Sequence, residues 1–103
     1  MIKTIEILIT NGPITHINAL LDFEKNICIC NNKESIINDD IKKEIVRILR
    51  NWKNEYGNSK EIDSEEFVIT VNADNKDTFH GKGIYPDGYN RIKTILGELY
   101  GTR

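Results

Sequence analysis

No apolar run in this 103-residue chain approaches the roughly 18 residues of a membrane-spanning helix. The opening Met1-Ile2-Lys3-Thr4-Ile5-Glu6 lacks the cationic start, unbroken apolar stretch and small-residue cleavage site of a secretory signal. A cytoplasmic location is therefore expected. Cysteine is scarce as well: Cys28 and Cys30 are too few and too close together for a disulfide framework, which agrees with a reducing compartment. Neither sign of charge is in excess. Lys and Arg number 14 against 16 Asp and Glu, a formal charge of -2, so the chain has none of the broad positive field with which nucleic-acid-binding proteins meet phosphate. Nucleic acid is not the partner this balance favours.

The motifs of common chemistries are also missing. There is no P-loop, no H-E-x-x-H helix, no EF-hand loop and no Ser, His and Asp constellation. No cofactor or metal is expected, and the chain reads as a non-enzyme. Internal repeats and low-complexity tracts are absent too.

What is present is an ordinary globular composition, 39% hydrophobic and 29% charged, consistent with a single domain over residues 1–103. Heavy use of Ile, Asn and Lys suggests an AT-rich, bacterial genome. Ile5, Ile7 and Ile9 alternate with polar residues and predict a strand that ends at Asn11-Gly12-Pro13. Ile17, Ala19, Leu21 and Phe23 predict a second strand, turned by Glu24-Lys25-Asn26 into a third over Ile27 to Cys30. Asn31 to Asn38 reads as a polar connection with Ile36 and Ile37 tucked under the sheet.

From Asp39 to Tyr56, the spacing of Ile41, Ile45, Ile48, Leu49, Trp52 and Tyr56 predicts an α-helix, capped by Asn38 or Asp39 and stopped by Gly57. Gly57 to Glu66 reads as a surface linker. Phe67 to Asn72 and Thr78 to His80 form a second hairpin, and Asp87 to Tyr100 a second helix with Asp87 at its N-cap and Gly101 as its stop. The expected fold is α+β, in the order β-β-β-α-β-β-α. It has a mainly antiparallel sheet of about five strands and two helices on one face.

Gly81, Gly83 and Pro86 stand in a G-x-G-x-x-P segment between the second hairpin and the last helix. In this the chain resembles small bacterial domains with a hairpin, G-x-G-x-x-P, helix ending; the resemblance implies a fold and no activity.

A phosphate site at Gly81-Lys82-Gly83 would need free N–H groups at a helix start. Pro86 removes one N–H, Asp87 competes for others, and the preceding strand belongs to a hairpin rather than to a βαβ unit. The glycines, Pro86 and Asp87 are better explained as strand end, fixed turn and cap. Tyr85 and Tyr89 beside Lys82 suit a contact with another protein, because tyrosine is enriched at such interfaces. Lys82, Tyr85, Asp87 and Tyr89 are therefore the expected partner-binding residues.

Cys28 and Cys30 with His16 and His80 have the residue types of a zinc site without its spacing, and packing is the simpler account of the thiols. Lys43, Arg47, Arg50 and Lys53 form a basic face on the first helix. That face offers the alternative of a nucleic-acid-binding accessory protein, but no aromatic alternates with the charges for base stacking. A small-ligand or phosphate-binding domain is the other alternative. The favoured reading is a protein-binding module of the inhibitor, immunity-type or accessory-factor kind, with a free sheet edge as a route to a homodimer.

Overall fold

The computed structural model describes residues 1–57 and 64–101. The predicted linker therefore lies largely outside the described residues. The elements run β1 (Thr4–Asn11), β2 (Ile14–Asp22), β3 (Ile27–Cys30), β4 (Lys33–Ile36), α1 (Asp39–Arg50), β5 (Glu55–Tyr56), β6 (Glu65–Asn72), β7 (Lys76–Lys82) and α2 (Tyr89–Gly101). Among the described residues these strands make one 7-stranded sheet in the order β4-β3-β2-β1-β6-β7-β5. Every pairing is antiparallel except the parallel contact of β5 with β7. The α+β class stands; the sheet is mixed and has more strands than expected.

The two additional strands are short and lie at the edges. Lys33–Ile36 was read as a polar connection, but Asn31 and Asn32 both adopt positive φ, 49° and 70°. Two left-handed residues in succession make the tight turn whose twist suits a hairpin, and β4 folds back onto β3 through it. Ile37 is buried as expected, whereas Ile36 points to solvent. β5 forms where the predicted helix was to continue. α1 ends at Arg50 with Asn51 as its C-cap, and Trp52 and Tyr56 reach the core from the segment that follows. Gly57 is therefore not the helix stop. The start of α1 is as expected, since the Asn38 side chain accepts from the Ile41 N–H at 2.9 Å and Asp39 and Asp40 occupy the first turn.

One face of the sheet is buried against the helices. Ile5, Ile7 and Ile9 of β1, Leu21 of β2, Cys28 of β3 and Phe67 and Ile69 of β6 all lie in a single core with Ile45 and Leu49 of α1 and Ile92, Ile95, Leu96 and Leu99 of α2. The opposite face carries Leu8, Leu20 and Ile29, which are exposed. Glu44 of α1 holds Arg91 of α2 in a two-point contact, at 2.7 and 3.0 Å. At the far end of α2, the Ser35 hydroxyl donates to the Leu99 carbonyl and ties the helix to β4. Among the described residues no helix is long and apolar enough to cross a membrane.

Candidate functional site

The strand-to-helix segment after β7 is shaped by close packing at its glycines. A Cβ on Gly81 would meet the Tyr56 carbonyl oxygen at 2.3 Å and the Phe67 ring at 2.8 Å, so the glycine is what lets β5 pair with β7. On that side Gly81 faces packed protein. Gly88 has φ 87°, and a Cβ there would stand 2.5 Å from the Ile48 Cγ2; it admits both the left-handed turn and the approach of α1. The Tyr89 N–H donates to the Pro86 carbonyl and the Ile92 N–H to the Gly88 carbonyl. Gly88 thus immediately precedes α2. Asp87 is one residue too early to be the N-cap it was expected to be.

An aromatic cluster supports this segment from behind. The Trp52 ring meets Phe67 edge-on at 5.7 Å, Phe79 at 6.0 Å and Tyr56 at 6.2 Å, and its indole N–H donates to the Asp87 carbonyl at 2.8 Å. Tyr85 stacks on Tyr89 with ring centres 4.9 Å apart, and the Tyr85 hydroxyl donates to the Glu65 carbonyl at 2.7 Å. The Glu65 carboxylate in turn accepts from the Tyr89 hydroxyl and from Lys93 Nζ at 3.0 Å. Burial works against charge on Glu65, but the Tyr89 and Lys93 hydrogen bonds outweigh it and hold the carboxyl below its ordinary value. Burial and the same carboxylate push the Tyr89 phenol well above its own.

This arrangement leaves a groove of ≈ 570 Å³ between the end of α1 and the 84–88 segment, bordered by Arg47, Ile48, Trp52, Ile84, Tyr85 and Asp87 among others. Ile84 is 59% exposed and Tyr85 39%. Of the expected partner-binding residues, Tyr85 and Asp87 border the groove. Tyr89 does not present a surface: it is 3% exposed and packs on Phe67 at 5.0 Å, as an aromatic at helical spacing does when it belongs to the core. Lys82 is also displaced, because alternation along β7 puts it with His80 on the sheet face away from the helices. Ile84, Ile48 and Trp52 were not foreseen as part of the site. An isoleucine between Gly83 and Tyr85 in a loop was the one available signal for the first.

The alternative basic face is partly kept. Lys43, Arg47 and Arg50 are exposed on α1. Lys53 lies beyond the helix end, where its backbone N–H donates to the Tyr56 hydroxyl at 2.6 Å. Lys42 is drawn aside to Asp39 at 3.2 Å and over the Phe23 ring.

The cysteines and histidines are separated by the sheet. Cys28 and Cys30 are buried beneath α2, whereas His16 and His80 are exposed on the other face, so the four do not converge on one point. Burial, then the neighbouring Cys30, pushes the Cys28 thiol up to about 11, and burial raises Cys30 as well; both shifts favour the protonated thiol. Among the described residues no group of three or more His, Cys, Asp or Glu could hold a metal ion. At the sheet edges, β4 spans four residues and carries Lys33 and Glu34, charges of the kind that discourage edge pairing.

No family model, no curated protein and no solved structure matches this chain.

Proposed function

We propose that this chain is a small cytoplasmic protein-binding module that does no covalent chemistry, of the inhibitor, immunity-type or accessory-factor class. In this reading a partner protein docks on the groove beside Ile84 and Tyr85. The observation that carries it is the exposure of those two apolar side chains on a segment pinned by the Trp52–Asp87 and Tyr85–Glu65 hydrogen bonds. Large apolar groups displayed on a fixed backbone lose little freedom on binding, and aromatic anchors of this kind dominate the energetics of protein interfaces. The groove lies open along one side of α1, a shape suited to a protruding side chain or short segment of another protein. A cytoplasmic setting is supported by the two cysteines being free thiols.

The test is affinity capture of the tagged protein from its host lysate after lysine cross-linking, with an Ile84→Ser, Tyr85→Ala variant beside the wild type. Tyr89 is left alone because its loss would open the core. One protein enriched by the wild type and lost with the variant is the expected result. Equal recovery with both, or recovery of none, would remove the groove as a docking site.

A further inference from the structure

A second cavity, also ≈ 570 Å³, lies on the other side of Arg47, between the first residues of the chain and α1. Ile2, Phe23 and Val46 give it an apolar floor, and Lys43, Arg47 and Arg50 stand along one wall. The three cations follow positions i, i+4 and i+7, so they occupy one helix stripe about 10 Å long, with about 6 Å between the first two. Among the described residues none of the three is in an ion pair. The acidic residues of α1 offset them only in part: Asp39 and Asp40 sit at the helix start, and the Glu44 carboxylate, which also feels the charge of Arg47, is engaged first by Arg91.

We propose that this groove receives an acidic segment of the partner protein, with an apolar side chain on the Ile2, Phe23 and Val46 floor and carboxylates along Lys43, Arg47 and Arg50. The proposal rests on the protein-binding reading and adds the partner's charge to it. A row this long is poorly matched to one phosphate or carboxylate head, whereas carboxylates on alternate residues of an extended strand repeat at about 6–7 Å, and those at i and i+4 of a helix at about 6 Å. Nucleic acid fits the floor less well. Among the described residues the aromatic in its lining is Phe23, which already has Lys42 Nζ over its ring at 5.8 Å, so that face is not open to a base. Arg47 borders both cavities. A segment crossing it would set its acidic part beside Lys43 and Arg50 and its apolar part beside Ile84 and Tyr85.

The experiment is selection of random peptides, displayed on phage, against the full chain, followed by anisotropy with the best peptide made synthetically and labelled. The expected outcome is enrichment of Asp or Glu together with large aliphatic residues, and an affinity that falls about tenfold or more in Lys43→Glu, Arg50→Glu and weakens as salt is raised. Both substituted residues are exposed, and thermal melts of the variant confirm folding. Peptides without an acidic excess, or acidic peptides that bind the variant equally well, would overturn the proposal, as would no enrichment at all. Retention of a DNA duplex or of phosphatidylglycerol vesicles in place of peptide would also overturn it and give the row to phosphate. The failure of the protein-binding reading is separate: it is read from lysate capture with the Ile84→Ser, Tyr85→Ala variant, whose substitutions do not touch the basic row.

Discussion

On one side of Arg47 the surface is fixed from behind: Trp52 holds the Asp87 carbonyl, Glu65 holds both tyrosine hydroxyls, and Gly88 fits against Ile48. On the other side, Lys43, Arg47 and Arg50 stand over an apolar floor without an ion pair among the described residues, and only Lys42 beside them is held, by Asp39 and Asn26. The first groove owes its shape to the core, so changes there are expected to reach stability as well as the proposed binding. The second owes its character to charge at the ends of flexible side chains, so changes there are expected to leave stability almost untouched and to act on the proposed binding.

That contrast is broken most severely by Trp52→Ala. Loss of the ring that touches Phe67, Phe79 and Tyr56 is expected to cost about 3–5 kcal/mol in denaturant unfolding. Gly88→Ala comes next, at about 2–4 kcal/mol, because it combines a left-handed backbone with overlap on Ile48; its urea midpoint measures this.

Glu65→Gln sharpens the contrast through pH. The folded carboxyl lies below its ordinary value, so its stabilisation is present above the unfolded value, about 4.3, and is lost as pH falls through the lower folded value. Melting temperatures followed downward from neutral pH should drop less steeply in the variant than in the wild type. Tyr85→Phe removes one hydrogen bond to a backbone carbonyl and should cost about 0.5–1.5 kcal/mol. Lys43→Ala should fall at the bottom, within about 0.5 kcal/mol. A large loss of stability from Lys43→Ala would mean that the basic groove is part of the scaffold after all.

How far the sequence disclosed this arrangement depended on which interactions build each part. The central strands were legible because alternation in Ile5, Ile7 and Ile9 or in Phe67, Ile69 and Val71 records burial on one face. β4 was not, since KESI is held by backbone pairing at an edge and little in its side chains marks a strand; only the Asn31-Asn32 pair announced its turn. The end of α1 was misplaced because Trp52 and Tyr56 keep helical spacing while entering the same core from a chain that has already turned. Spacing reports which residues are buried, and the path between them is set by tertiary contact. In the candidate site, Tyr85 and Arg47 were each visible, on separate surfaces. That they border one groove follows from α1 and the 84–88 segment meeting at Gly88 and Ile48, which no local pattern encodes. Tyr89 was misjudged for the converse reason: its aromatic side chain suited an interface and was taken by the core.

Trp52, the only tryptophan in the chain, borders the groove at Tyr85 and is itself mostly buried. The protein therefore carries its own optical probe at the place where a partner is proposed to dock. Because the indole donates to the Asp87 carbonyl, any occupant that dries the groove or shifts that segment changes the polarity around the ring. Its emission maximum and its quenching by iodide would then report occupancy in unlabelled protein.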